Sequence, residues 1–447
     1  RRPVTSTTVS GGRPGSPVDR GGRAEPRRRL LAGWPQMLRL VLRLDRIRLL
    51  VWAAAIGALV FVSASSVEGL YATAESLAGY VALVEGNAAV VVQAGPGFGL
   101  DDPTLGSVLM NEVSIWTLIL VSLMSILMVT RHTRAEEASG RAEILRATPL
   151  GRYAGAVAAM AGVLIANGLV ATVVATGLVL RGYDGAGALA FAATLVGTGM
   201  VFASVSLVTG QIATSSRVAS GLALIVLGVS FILRAVGDVG NGVLSWYSPL
   251  GWGQAIRAFA GERWWVLGVQ LVATAALVSL AGWLSGRRDF GAGMLPQRSG
   301  RPEAGPMLSS TLGLAVRLQR GAWFGWLAGV TVISVFYGVI TDEVDQMVTD
   351  NPELEAFFAQ AGVGSITDSF LATAALMIGL LASGYMVSAV LRIRSEEVAV
   401  RADPLLATPT PRRTWASSHL VVAAIGTVIL LAVAGSGLGL GAAIVTG

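Results

Sequence analysis

Residues 154–180 read AGAVAAMAGVLIANGLVATVVATGLVL, without one charged side chain. A helix needs about 20 predominantly apolar residues to cross the hydrocarbon core of a bilayer, and this run is long enough. It does not alternate between apolar and polar residues, as the strands of a membrane barrel do. The run therefore predicts a transmembrane α-helix.

Apolar runs of this kind recur along the whole chain, which is 53% hydrophobic and only 13% charged over 447 residues. These values exclude an ordinary soluble domain. We predict an all-α integral membrane protein with spans at 49–66, 113–130, 154–180, 186–210, 219–236, 264–285, 322–340, 372–390 and 416–445.

The charges indicate how the chain is oriented. The formal net charge is +6, and the sequence contains Arg but no Lys. Its Arg residues cluster at the ends of the apolar runs, which is a topology signal and not a nucleic-acid surface, so no nucleic-acid partner is predicted. Segments 67–112 and 341–371 are acidic and carry no basic residue. Because positive loops face the cytoplasm, we expect a cytoplasmic N-terminus and external acidic segments.

Composition also divides the chain into segments. Residues 1–34 are rich in Arg, Gly, Pro and Ser, which predicts a disordered basic cytoplasmic tail. Residues 35–48 mix Leu, Val and Ile with Arg, and we expect them to form a helix in the membrane interface before the first span. The first transmembrane repeat, including this helix, covers 35–285, a cytoplasmic linker covers 286–311, and a second repeat covers 312–447.

Two charged runs interrupt the apolar pattern, EEASGRAEILRATPLGR at 136–152 and RSEEVAVRADPLLATPTPRR at 394–413. They align without a gap at a shift of 260 positions, which pairs Arg134 with Arg394 and Glu137 with Glu397. Each run ends on Ala-Thr-Pro followed closely by Arg. This correspondence predicts an internal repeat.

A second match extends the repeat upstream, where RLDR at 43–46 resembles RLQR at 317–320. We interpret the pattern as the duplication of a six-span unit. An even number of spans makes the halves parallel repeats about an axis along the membrane normal. On this interpretation the second repeat is truncated after three spans. Roughly 100 further residues and about twelve spans in total are then expected.

The charged runs have a plain and a functional interpretation. A charged loop between spans is usually a solvated surface, and i,i+4 pairs such as Glu137 with Arg141 contribute only about 0.3–0.5 kcal/mol each. That is too little to explain one pattern in both halves. A pattern on both sides of a pseudo-twofold axis favours two docking sites for a symmetric partner.

The sequence also resembles a known family, the permeases of type-2 ABC exporters, and in particular actinobacterial ones, mycobacterial included, for polyketide-antibiotic and multidrug efflux. The residues that carry the resemblance are Arg134, Glu136, Glu137, Gly140, Arg141, Glu143 and ATPLGR at 147–152, with SPLGW at 248–252, Trp264, Trp265, RRD at 287–289 and GAG at 291–293. It covers about 35–447. The resemblance implies a multi-pass protein of the bacterial inner (plasma) membrane.

In that family the loop between the second and third spans of each half holds a coupling helix that docks on a separate ATPase subunit. The resemblance therefore implies an ABC ATPase partner, in two copies, which holds the ATP and Mg²⁺, while this chain has no cofactor. The implied coupling residues are Arg134, Glu136, Glu137, Arg141, Glu143, Arg394, Glu396, Glu397, Arg401 and Asp403. The second copy departs from the first at Val400, Pro404 and Pro411, and Pro404 is expected to break or restart a helix.

Residues for chemistry in this chain itself are scarce. A Walker A loop requires Lys, and the sequence has none. We find no metal-ligand spacing and predict no catalytic residue and no metal site. His132 is expected to be a solvated loop residue and His419 an interfacial one. Arg234, at the outer end of the fifth span, is expected to snorkel toward the interface.

Candidate pathway residues are weaker predictions. Asn167 is a polar residue at membrane depth, which either lines a pathway or bonds a neighbouring helix. Flexible thioether side chains suit varied drugs, although packing between helices is the more common role of such residues. These residues are Met124, Met128, Met377 and Met386.

We therefore expect the permease subunit of an ATP-driven exporter of hydrophobic or amphipathic drugs and antibiotics. Its expected contacts are the ATPase, membrane lipid and a hydrophobic small molecule. One alternative is a proton-driven multidrug transporter, which predicts buried Asp, Glu or His in the spans. A second is a membrane enzyme of envelope biogenesis, which requires convergent acids or bases at one membrane face.

Overall fold

The structure is a computed structural model that describes residues 30–85, 88–138, 150–287, 293–294, 303, 305–349 and 366–446. Every regular element in these ranges is helical. The chain divides into two compact units, the first comprising Arg1–Glu85 and Val90–Gln297 and the second Gly86–Ala89 and Arg298–Gly447. Arg141, Glu143, residues 1–29 of the expected tail and parts of the expected linker lie outside the described residues.

The helices described up to residue 287 follow the apolar runs closely. In chain order they are α1 (Trp34–Leu70), α2 (Ala74–Val84), α3 (Ala88–Ala94), α4 (Leu105–Thr130), α5 (Ala154–Leu180), α6 (Gly185–Ile212), α7 (Ser216–Val239), α8 (Pro249–Ala255) and α9 (Val266–Arg287). Six of them are long and apolar enough to cross a membrane, namely α1, α4, α5, α6, α7 and α9.

Helices α4 and α6 form the centre of the first unit. In each of them 72% of the apolar stretch is buried inside the protein, compared with 17% in α9. Helix α6 packs on α4, α5, α7 and α9, while α1 packs on α5 and α4. The peripheral helices keep large apolar side chains such as Leu271 exposed, as a bilayer-facing surface requires.

Helix α1 differs from the expectation of an interfacial helix followed by a separate span. It is continuous over Trp34–Leu70, because no Pro or Gly interrupts the stretch where a break was expected. Asp45, within the Arg-rich part, is buried with 2% of its surface exposed. The N-terminal part of α1 therefore packs against other helices on at least one side.

The acidic segment 67–112 folds into α2, α3 and the start of α4. Thr73 and Thr104 cap α2 and α4, and each accepts a hydrogen bond from the backbone N–H of the serine three residues later. Arg234 of α7 does not snorkel, so that prediction was wrong. Its side chain is fully buried and donates to the carbonyl oxygens of Val91 and Val92 in α3, at 3.3 and 2.6 Å.

The second unit contains three long described helices, α10 (Thr311–Thr349), α11 (Ile366–Val398) and α12 (Arg412–Thr446). Helices α11 and α12 bring the number of described helices able to span a membrane to eight, and α10 contains the predicted span 322–340. Helix α10 packs mainly on α12 and then on α11. In the first unit, α1 likewise packs mainly on its third span, α5, and then on its second span, α4.

Candidate coupling site and its supports

The first charged run begins where α4 ends in a π-helical turn, Arg131–Ala135, followed by a short helical turn at Glu136–Ala138. Arg134 in this turn is almost completely buried, with 1% exposed. Its guanidinium donates to Glu137 Oε2 at 2.6 Å and to the carbonyl oxygen of Thr214 at 2.8 Å. Because Thr214 lies between α6 and α7, Arg134 ties two loops at this end of the unit together.

His132 is not a solvated loop residue, so that prediction was wrong. It is buried, and its Nε2 contacts the Asp45 carboxylate on α1. The same carboxylate pairs with Arg131 at 3.3 Å and with Arg48 at 3.2 Å. A buried carboxylate requires partners that compensate its lost hydration, and these three side chains supply them. The ion pairs join α1 to the end of α4.

The end of the charged run is attached to the segment before α1. The N–H groups of Gly151 and Tyr153 donate to the carbonyl oxygens of Ala32 and Leu30, at 2.9 and 3.0 Å. Arg152 between them donates to the carbonyl oxygen of Ser285 at the end of α9, at 2.5 Å. The described flanks of the charged loop are thus tied to α1, α9 and the α6–α7 loop.

The second charged run is arranged differently. Glu396 is buried, with 4% exposed, and accepts hydrogen bonds at 2.8 Å from both Arg392 and Arg401. Arg394 and Glu397 are 3.7 Å apart, and their side chains are 76% and 41% exposed. The buried charged residue is Glu396 in the second run and Arg134 in the first. Arg394, which aligns with Arg134, is exposed, so equivalent positions in the two runs have different surroundings.

Two of the predicted departures in the second run have structural consequences. Helix α11 ends at Val398, and a new short helix, Asp403–Leu406, begins with Pro404 in its first turn, as predicted. Val400, at the position of Gly140, has a left-handed φ of 59°. A β-branched side chain is strained in that conformation. Asp403 is exposed at the start of the short helix.

His419 is buried in α12 with 1% exposed, instead of facing the membrane interface. Its Nδ1 lies 3.2 Å from the Nε2 of Gln319 on α10, and Trp415 packs against its ring edge. Gln319 occupies the repeat position of Asp45. In each unit, the residue at this position of the first helix is therefore buried and contacts a histidine: Asp45 contacts His132, and Gln319 contacts His419.

The candidate pathway residues pack between helices. Asn167 of α5 is fully buried, and its side chain hydrogen-bonds to the hydroxyl of Ser125 on α4 at 3.3 Å. Of its two expected roles, lining a pathway or bonding a neighbouring helix, the structure shows the second. Met124 and Met128 belong to the core of the first unit. Met386 packs against the core of the second unit, while Met377 is 46% exposed on α11.

The sequence reasoning missed Asp45, which is the centre of the ion pairs at the start of the first charged run. One signal was available, because Asp45 is the single acid among the Arg residues of 35–48. It also missed Gln254 and Gln270. Gln254 donates to the carbonyl oxygen of Ala94 at 2.7 Å, and Gln270 donates to the hydroxyls of Thr194 and Thr198 at 3.3 and 3.0 Å.

Long apolar helices with paired charges confined to their ends define a multi-pass α-helical membrane protein. Residues 308–447 match the family model described as "Multidrug efflux system permease Rv1217c, C-terminal domain". The chain is 38% identical over 443 residues to the multidrug efflux system permease protein Rv1217c of Mycobacterium tuberculosis (strain ATCC 25618 / H37Rv). This similarity covers 98% of the chain and 78% of that relative. The chain therefore belongs to this family of multidrug efflux system permeases.

Proposed function

We propose that this chain is the membrane-spanning permease subunit of an ATP-driven ABC exporter that moves hydrophobic or amphipathic drugs out of a bacterial cell. Its N-terminus lies in the cytoplasm, and the Arg-rich ends of its helices face a separate ATPase, present in two copies. That ATPase binds ATP and Mg²⁺ and supplies the free energy that shifts the helices between access states.

The observation that carries this proposal is the repeated charged run and the way each copy is held. In the first copy, ion pairs and backbone hydrogen bonds tie the flanks of the run to α1, α9 and the α6–α7 loop. A solvated loop needs no such attachment. A loop attached to several spans transmits a push from a soluble partner to all of them. Of the predicted coupling residues, Arg134 and Glu396 are buried and position the loop, whereas Arg394, Glu397 and Asp403 face outward and contact the partner.

The test is purification of the tagged chain from native membranes in mild detergent, with measurement of ATP hydrolysis in the purified sample. The informative variant is Arg394→Ala with Glu397→Ala, because both side chains are exposed and their removal costs little stability. Glu75→Ala, exposed on α2 in the acidic segment expected on the opposite side, is the matched control. We expect an ATPase to co-purify with the wild type and the control and to be lost or uncoupled from transport in the double variant.

One observation favours the second candidate, a proton-driven transporter. The helices extend beyond the predicted spans and carry the buried Asp45–His132 pair. Buried acids paired with His are typical of proton relays. The pair lies in the Arg-rich end of α1 and not at mid-membrane, which favours a structural tie. If no ATPase co-purifies and transport stops only when the proton gradient is dissipated, the proton-driven function is correct and the ATP-driven one is wrong.

A further inference from the structure

The first unit contains a cavity of about 1010 Å³ at the end where the charged run begins. Its walls come from the start of α5, the end of α9, the middle and end of α6, and the residues around Glu136. Most of the lining is apolar, including Met160 and Met200. Thioether side chains adapt to irregular hydrocarbon ligands.

The depth of the cavity matches one leaflet of a bilayer. Its α5 wall runs from Tyr153 to Leu164 and its α9 wall from Thr274 to Ser285. At 1.5 Å per residue each wall is about 16 Å long, which is close to half of the roughly 30 Å hydrocarbon thickness. The cavity therefore extends from the polar boundary of one leaflet to near mid-membrane.

The cavity is open toward the side that faces lipid. Leu164 and Val278 line it, and their side chains are 49% and 38% exposed. These residues lie on the outer surfaces of α5 and α9, both of which are long enough to span a membrane. A ligand with an acyl chain can therefore enter laterally from the bilayer, without passing through water.

The polar end of the cavity carries charges of both signs. Glu136 and Glu137 line it on one side. Arg152 lines it as well and is held in place by the carbonyl oxygen of Ser285. A guanidinium has five N–H donors, so this bond uses one of several. Carboxylates beside an arginine complement a ligand that carries both an ammonium and a phosphate.

We propose that this cavity binds a zwitterionic aminophospholipid of the leaflet on the Arg-rich side, with one acyl chain along α5 and α9. The primary ammonium donates to the Glu136 and Glu137 carboxylates, of which Glu137 also accepts from Arg134, and the phosphate accepts from Arg152. The bound lipid fills the gap between α5 and α9 beside the charged loop. This proposal concerns the lipid surroundings of the chain and does not require the exporter function.

Two glycines make a direct test possible. Gly155 and Gly282 line the cavity, and a Cβ at either position meets nothing within 4 Å. Both positions have room for a Cβ, so we expect Leu side chains there to take up part of the cavity. Gly168, on the same helix α5, has equally open space but is not part of the cavity wall, so Gly168→Leu is the matched control.

The measurement is native mass spectrometry of the full chain, released from nanodiscs that contain equal amounts of phosphatidylethanolamine, phosphatidylcholine and phosphatidylglycerol with identical acyl chains. We expect retained phosphatidylethanolamine in the wild type and in Gly168→Leu. Excluding only two methylene groups of the lipid from the cavity weakens binding about tenfold. The variant Gly155→Leu with Gly282→Leu should therefore lose most of the retained phosphatidylethanolamine. Glu136→Gln removes one of the two carboxylates and should reduce the preference for phosphatidylethanolamine over phosphatidylcholine, because the headgroup nitrogen of phosphatidylcholine cannot donate a hydrogen bond.

The proposal is overturned if the cavity-filling variant retains as much lipid as Gly168→Leu. It is also overturned if phosphatidylglycerol is retained best and Glu136→Gln changes nothing, since that pattern reflects general attraction of anionic lipid to Arg. Size-exclusion profiles of all variants must match that of the wild type. A variant that aggregates is replaced by Gly155→Ala with Gly282→Ala, for which the same direction and a smaller loss are expected.

Discussion

The buried contact between Asp45 and His132 gives a prediction that can be worked out from the structure. Asp45→Asn keeps the shape of the side chain and removes its charge, while His132, Arg131 and Arg48 stay in place. The Arg48 and Arg131 side chains are 58% and 35% exposed, so their pairs are screened by solvent and contribute little. The His132 contact is different, because both side chains are at least 96% buried.

Breaking a buried pair by removing one partner costs about 3–5 kcal/mol, because the remaining group stays buried without compensation. Asn can still hydrogen-bond to His132, so we expect the lower end, about 3 kcal/mol. For a unit of this size each kcal/mol shifts the midpoint of thermal unfolding by about 2–4 °C. The midpoint of Asp45→Asn should therefore fall by roughly 6–12 °C, measured through tryptophan fluorescence in detergent micelles.

Two comparisons make this prediction specific. Arg46→Gln, on the exposed side of the same helix, should shift the midpoint by no more than about 2 °C, because surface substitutions stay within about 0.5 kcal/mol. Replacing both partners, Asp45→Leu with His132→Leu, should be much less harmful than Asp45→Asn alone, because no fully buried polar group is then left unpaired and Arg48 and Arg131 are exposed enough to be hydrated. If Asp45→Asn melts within 1 °C of the wild type, the pair does not hold α1 to α4.

Three further predictions concern single positions. Val400→Gly should raise stability by about 1 kcal/mol in chemical denaturation, since it relieves the left-handed strain of a β-branched residue, and no gain would contradict the strained backbone. Gly251→Ala should lower the free energy of unfolding by about 1–3 kcal/mol, because the new Cβ meets the Ser245 backbone. Gly268→Ala on α9 has open space and should raise that free energy by up to about 1 kcal/mol. Equal effects of the two variants in chemical denaturation would refute the packing at Gly251. Burial, followed by the nearby Glu68 charge, raises the pKa of Tyr183 to about 12. The folded protein therefore keeps this phenol protonated to higher pH than the unfolded chain, and it loses stability as pH rises from about 10 to 12. In an ultraviolet titration, the difference between the wild type and Tyr183→Phe should show tyrosinate absorbance from this residue only near pH 12.

Much of the architecture could be predicted because apolar length is a local property. The run at 154–180 coincides with α5 from end to end, and Pro404 begins a new helical turn as expected. Hydrocarbon leaves the chain few alternatives to helices, so the sequence alone determines where they lie. The family was expected from a different source, the resemblance carried by the first charged run and the SPLGW segment at 248–252, and that expectation is confirmed.

The environment of each charge could not be predicted, because burial depends on residues that are distant in the sequence. His132 appeared solvated because its neighbours are polar, but its partner Asp45 lies 87 positions earlier. Arg234 appeared free to reach the interface, but it is enclosed by carbonyl groups of α3 from a segment 142 positions away. Asn167 could be assigned to helix bonding only once Ser125 was found opposite it.

The π-helical turn at Arg131–Ala135 interrupts α4, whereas α11 continues as a regular helix to Val398. A π-helical turn holds about one more residue than an α-helical turn, so the residues after it are rotated by nearly 100° about the axis relative to an uninterrupted helix. Aligned residues of the two charged runs therefore lie at different angles about the axes of their own helices, although the sequences align without a gap. Under the proposed function, the surface that the first charged run offers to a partner is therefore turned differently about its own helix from the surface that the second run offers.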